Sequence, residues 1–103
     1  MKESAKTIFS LGEILWDIFP EGKKIGGAAA NVVFYLSRLD ENPVLVSRVG
    51  TDSLGEEALT VCHSCSLKTD FIQEDEVHCT GKVNVHLDSQ GVPRFEIQDN
   101  VAW

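Results

Sequence analysis

The chain has 103 residues and a formal net charge of −7, with 9 Lys and Arg against 16 Asp and Glu. That length allows one domain at most, and the scattered cations make no basic patch for nucleic-acid phosphates or an anionic membrane surface. No apolar run approaches the roughly 20 residues that span a bilayer, and the N-terminal stretch alternates apolar with polar residues and is broken by Glu13, unlike a signal peptide.

In chain order, Thr7 to Leu11 alternates as a short strand ending at Gly12. Glu13 to Ile18 is a second extended segment, with Trp16 and Ile18 on one face and Leu15, Asp17 and Phe19 on the other. Pro20 to Lys23 is a turn. Gly26-Gly27 then opens a helix over Ala28 to Leu39 that is apolar on nearly every side, which predicts burial on more than one side. Asp40 to Pro43 breaks it. Val44 to Val49 is a nearly continuous apolar strand of the buried parallel type. Gly50 to Glu56 turns into a second helix reaching about Cys65, with Ser53 and Glu56 spaced as a capping box. The β-α-β-α order predicts a parallel sheet with a right-handed crossover.

The last third changes character. Lys82 to Asp88 alternates strictly, Ser89-Gln90-Gly91 turns the chain, and Arg94 to Ile97 alternates back. This is an antiparallel hairpin with Val83, Val85, Leu87, Phe95 and Ile97 on its apolar face, and it reads as an appendage to the βαβ core. His86 falls on its polar face, where it is expected to be exposed.

Three cysteines make an odd count, against a disulfide framework and in favour of a reducing compartment, hence the cytoplasm. Cys62 and Cys65 have CxxC spacing, but one such pair without a second is weak evidence for a metal or redox site. The plain reading is small buried helical residues. The chain stops at Val101-Ala102-Trp103. That apolar ending, with a first helix too apolar for its surroundings, predicts that the native protein continues and that residues 1–103 form a single incomplete domain.

The glycine pair has two readings. A glycine lets a backbone take unusual dihedrals and lets a ligand approach, and a helix N-terminus offers free N–H groups and a positive dipole end. The plain alternative is a tight loop that lets the helix pack on a sheet.

Four motifs in register narrow this. Gly12-Glu13-Ile14-Leu15-Trp16-Asp17, Gly26-Gly27-Ala28-Ala29-Ala30-Asn31, Val49-Gly50-Thr51-Asp52-Ser53-Leu54-Gly55 and Thr80-Gly81 together resemble the N-terminal third of the PfkB/ribokinase-like carbohydrate kinases, in particular bacterial fructokinase-like members. The resemblance covers nearly the whole chain. It implies an α/β fold, the N-terminal part of a ribokinase-like α/β/α sandwich with a β-hairpin lid, the lid segments being about residues 14–25 and 79–98. It implies that Asp17, Gly26, Gly27 and Asn31 bind sugar, and that Phe95 packs against it from the lid. An ionised carboxylate can accept hydrogen bonds from two neighbouring hydroxyls, which suits Asp17. Asn31 lies one helical turn beyond Gly27 and can face the same ligand. ATP and Mg²⁺ are implied for the complete protein and neither for this segment. The family's Gly-Ala-Gly-Asp run, which carries the catalytic base, has no match in these residues, and the short connection from Asp17 to Gly26 leaves the lid's size and sugar preference open. The expectation is a sugar kinase of which this chain supplies part of the sugar site and lid, inactive alone and self-associating through lid or exposed sheet. The alternative is a non-catalytic sugar-binding or dimerisation module.

Overall fold

The computed structural model describes residues 6–103. Ten elements follow one another: β1 (Thr7–Leu11), β2 (Leu15–Phe19), β3 (Gly22–Gly26), α1 (Ala28–Arg38), β4 (Asn42–Gly50), α2 (Ser53–Ser64), β5 (Ile72–Asp75), β6 (Cys79–Leu87), β7 (Pro93–Ile97) and β8 (Val101–Ala102). They form two sheets. The first is all parallel in the order β1-β4-β5, and the second runs β3-β2-β6-β7, with β8 pairing to β6.

The parallel sheet follows from the apolar run of β4. Leu45 and Val49 sit in one buried cluster with Ala29, Ala30 and Val33 of α1 and with Ala58 and Cys62 of α2. Both helices therefore cover the same face of β4. Ser10 ties α1 to β1 by donating to the Ala29 carbonyl (2.9 Å). The opposite face carries Phe9 and Leu11, 62% and 80% exposed, and Phe9 meets Phe71 edge to face at 6.0 Å. Among the described residues no helix covers that side. The same one-sidedness explains α1. Its sequence predicted burial on several sides, yet only Ala29, Ala30 and Val33 are buried, while Val32 and Tyr35 are exposed.

Both helices end by the same device. Asp40 takes a left-handed φ of 59°, and Glu41 N–H closes on the Leu36 carbonyl (3.2 Å). Ser66 does the same after α2, where Leu67 N–H reaches the Cys62 carbonyl (2.9 Å). This is how helix ends satisfy their orphan carbonyls. The start of α2 corrects the capping box. The N-cap is Asp52, one residue earlier than the Ser53–Glu56 pattern indicated, and its carboxylate accepts from Gly55 N–H (3.0 Å). An ionised Asp at the N-cap answers both the free donors and the helix dipole.

The second sheet holds the hairpin, whose register pairs Val83 with Ile97 and Val85 with Phe95. It is less separate than its alternation indicated. β6 runs parallel to β2, Leu15 opposite Gly81 and Asp17 opposite Val83, and its first residues enter the core, where Thr80 is fully buried. β3 completes the sheet as the antiparallel partner of β2. Strands β5 and β8 were not legible in the sequence. β5 has the charged run Ile72-Gln73-Glu74-Asp75, and β8 has only two residues.

The turn from β5 to β6 is organised by Asp75. Its carboxylate accepts from the backbone N–H groups of His78 and Val77 (both 2.8 Å) and pairs with Arg48 Nε (2.9 Å). The His78 amide, the Arg48 guanidinium and the Val77 amide together hold its pKa well below the usual carboxylate range. Asp52 is also lowered: burial pushes it up, but the hydroxyl and N–H of Thr80 and the N–H of Gly55 outweigh that. A carboxylate whose folded pKa lies below its unfolded value near 3.8 adds stability above that pH and loses it as pH falls through the folded pKa. The urea midpoint is therefore expected to begin falling as pH drops towards about 4 and to keep falling below that, until the lowered folded pKa values are passed. Asp75→Asn should lower the midpoint at neutral pH and flatten the acid limb; an unchanged acid slope would count against the assigned role of Asp75.

Candidate functional site

The site is built where β2, β3 and the start of α1 meet. Trp16 and Asp17, adjacent on β2, point to opposite faces. Trp16 is buried and donates from its indole N–H to the Leu54 carbonyl of α2 (2.9 Å), which fixes the strand against the helix. Lys23 of β3 shares that face, lying 5.4 Å from the Trp16 ring centre with its ammonium 2.9 Å from Glu57. This anchoring sends Asp17 to the other face, beside the end of β3.

The two glycines there do different things. A Cβ on Gly26 would lie 2.9 Å from Asp17 Oδ2, so the missing side chain makes room for the carboxylate above the strand end. Gly27 has φ 101°, and a Cβ there would collide with the Glu13 carbonyl oxygen. It needs glycine both for its dihedral and for close passage beneath the β1–β2 connection. Gly27 is also the N-cap of α1. No side chain caps this helix, its first turn holds no acid, and its first bond runs from Asn31 N–H to the Gly27 carbonyl (2.9 Å). The helix thus presents free N–H groups and the positive end of its dipole.

Asp17, Gly26 and Asn31 line one open groove of about 820 Å³, together with Lys24, Tyr35 and Arg38. Among the described residues neither the Asp17 carboxylate nor the Asn31 amide has a hydrogen-bond partner. Hydrogen-bonding capacity left open in a concavity of this size suits a small polyhydroxylated ligand. Phe95 does not line the groove. It lies on the Asp17 face of the same sheet, two strands away: Asp17 is level with Val83, Val83 with Ile97, and Phe95 stands two residues before Ile97 on β7.

The cysteine pair divides. Cys62 is in the core, and burial first, with the neighbouring Cys65 second, pushes its thiol up to about 11; Cys65 is exposed. A thiol shifted upward is a poor thiolate ligand or nucleophile. All three cysteines are free. No group of three or more His, Cys, Asp or Glu side chains among the described residues is placed to hold a metal ion. No helix of the described residues is long and apolar enough to cross a membrane.

Sequence reasoning missed Thr80 as an organising residue. Its hydroxyl accepts from Gly50 N–H (2.9 Å) and donates to Asp52 Oδ1 (2.5 Å), while its own N–H donates to Asp52 Oδ2 (3.1 Å). The signal available was the coincidence of Thr80-Gly81 with the Gly50–Gly55 turn in the motif set. Alternation within the hairpin carries no trace of it.

Residues 19–102 match the model of the pfkB family carbohydrate kinases. The chain belongs to that family. Its relatives include an uncharacterized sugar kinase of Pyrococcus horikoshii, 36% identical over an alignment of 107 positions that covers 93% of this chain and 34% of the relative. The crystal structure of that sugar kinase superposes with a TM-score of 0.84 at 34% identity, covering 94% of this chain and 35% of the other. A fructokinase of Escherichia coli is 33% identical over 97 residues, 89% of this chain and 31% of the relative. A fructokinase of Xylella fastidiosa with bound ATP superposes with a TM-score of 0.86 at 27% identity, over 96% of this chain and 32% of that one. The chain thus spans about a third of the length of the curated relatives it matches. Its mixed α/β fold is the ribokinase-like fold of these sugar kinases, and the described layers correspond to the N-terminal part of that fold.

Proposed function

We propose that the full-length protein carrying this segment transfers the γ-phosphate of ATP to a sugar hydroxyl, as a kinase of the fructokinase/ribokinase type. The single observation that carries the reading is the Asp17 carboxylate, set over Gly26 and lining one groove with Asn31. In this reading Asp17 accepts hydrogen bonds from two neighbouring sugar hydroxyls and Asn31 binds a further polar group. Gly26 and Gly27 let the ligand approach the backbone; Phe95 stands outside the groove on the Asp17 face, so its packing against the sugar requires the lid sheet to close over it. The family membership supports it, as does the ATP bound to the Xylella fructokinase.

ATP with Mg²⁺ would supply the phosphoryl group. The Gly-Ala-Gly-Asp run that the resemblance ties to the catalytic base does not occur in these residues. The contribution of these residues is to bind and orient the sugar and to shield it with the lid sheet, since phosphoryl transfer depends on positioning. The free thiols support a reducing cytoplasm as its location. The exposed Phe9, Leu11, Phe95 and Ile97 support self-association of the chain through lid or open sheet.

Two measurements check this. In an assay of ADP formation with fructose, ribose and related sugars, a longer natural chain should turn over and the 103-residue chain should not. Asp17→Asn in the longer chain should lower kcat/KM by roughly a hundredfold, the loss of about two charge-assisted hydrogen bonds. Turnover by the short chain, or an Asp17→Asn enzyme with unchanged kinetics, would contradict the reading. Sedimentation at micromolar concentration should give a mass above that of a monomer; a strictly monomeric mass would remove the assembly claim.

A further inference from the structure

One row of the second sheet brings in a residue that does not line the groove. Leu15 of β2 is level with Gly26 of β3 on one side and with Gly81 of β6 on the other. Beyond β6, the short strand β8 pairs Val101 with Cys79 and Ala102 with Thr80, so Trp103, the next residue, follows alongside Gly81. Across the sheet the row reads Gly26, Leu15, Gly81, Trp103.

Both glycines of the row are covered by a side chain from elsewhere. A Cβ on Gly26 would lie 2.9 Å from Asp17 Oδ2 and 3.7 Å from Leu15 Cδ1. A Cβ on Gly81 would lie 2.8 and 2.9 Å from Cε3 and Cζ3 of the Trp103 indole, and 3.4 Å from Leu15 Cβ. The carboxylate and the indole therefore stand on one face of the sheet, each over bare backbone, with Leu15 between them. Two strand spacings set the glycines about 10 Å apart. The result is a step floored by Leu15, with a hydrogen-bond acceptor at one end and an apolar ring at the other.

The plain explanation for Trp103 is that it fills the corner between the two sheets. It borders a cavity of about 320 Å³ there, with Leu11, Gly12, Glu13 and Val46. Corner packing alone would bury the ring, yet Trp103 stays 49% exposed while the pair before it, Ala102 and Thr80, is buried. Nor does corner packing require the ring edge to lie over Gly81. An indole held half in water by a buried strand is apolar surface that a ligand can cover with gain.

We infer that Trp103 is a sugar-binding residue, the apolar wall that faces Asp17 across Leu15. This rests on the reading that Asp17 binds sugar hydroxyls. A closed sugar ring carries hydroxyls around its edge and C–H groups on its faces. Asp17 takes the hydroxyls, and the indole covers the C–H groups, which suit the electron-rich surface of an aromatic ring. Phe95 needs the lid sheet to close before it reaches the sugar, whereas Trp103 stands beside the step already. The wall favours a closed ring over an open-chain polyol, which has no fixed C–H face.

The test uses the longer natural chain labelled with 5-fluorotryptophan, the Trp103 signal being the one lost in Trp103→Phe. Fructose or ribose should shift that signal, and glucitol, an open-chain polyol, should shift it little. Trp103→Ala should raise the KM for whichever sugar turns over about tenfold, with kcat and the KM for ATP moving less than about twofold, and Trp103→Phe should recover most of the loss. Gly81→Ala, whose Cβ displaces the indole, should raise the sugar KM by itself and add nothing to Trp103→Ala. A sugar that moves the Asn31 amide signal but not that of Trp103 overturns the wall and leaves the Asp17 site standing. So does a Trp103→Ala chain with a lowered urea midpoint and an unchanged sugar KM, which is the signature of corner packing. Equal shifts with glucitol and fructose overturn the preference for a closed ring. No response of Trp103 or Asn31 to any of the three probes overturns the sugar reading and the wall with it.

Discussion

One cluster of hydrogen bonds joins the parts of this molecule that would otherwise separate. Asp52 caps α2 through Gly55 and binds Thr80 at both hydroxyl and amide, while Thr80 takes the N–H of Gly50 at the end of β4. The end of the central parallel strand, the start of the second helix and the root of the lid strand thus meet at one carboxylate. The glycines are there because nothing else fits. A Cβ at Gly50 would lie 2.7 Å from the His78 carbonyl, and one at Gly55 would collide with the Gly50 carbonyl. Thr80 is fully buried, so each polar atom must be paired or its desolvation is uncompensated. The cluster works as a unit, and losing one member strands the others.

From that root the lid sheet takes its direction. β6 leaves the core at Thr80, β2 lies parallel to it, and Trp16 pins β2 to α2 through the Leu54 carbonyl. With Trp16 held on one face, Asp17 has only the other, and the bare backbone of Gly26 admits its carboxylate there. The groove lies at the junction of a strand anchored on its far side and an uncapped helix N-terminus. The groove is thus framed by regular elements, strands β2 and β3 and helix α1.

The sequence was most legible where a period or a breaker acts locally. The apolar run of β4, the alternation of β6 and β7, the faces of Trp16 and Asp17, and both helix ends could be read from neighbours alone. What escaped depended on distant partners. β5 is strand because it lies beside β4, though Gln73-Glu74-Asp75 have little strand preference. The cap moved from Ser53 to Asp52 because Asp52 also answers Thr80, 28 positions away. The glycine pair pointed to a ligand or a tight loop, and the structure shows the close packing: Gly27 is sterically required by the Glu13 carbonyl, and Gly26 leaves room for Asp17.

The most direct test of this account is a double-mutant cycle on stability, with Asp52→Asn, Thr80→Val and the pair measured by urea unfolding. If Asp52 and Thr80 form one unit that roots the lid in the core, the two substitutions couple by more than about 1 kcal/mol, and the double variant is less destabilised than the sum of the singles. Amide exchange along Cys79–Leu87 should accelerate in each single variant as the lid strand loosens at its root. Additivity to within about 0.5 kcal/mol, with exchange in β6 unchanged, would contradict it.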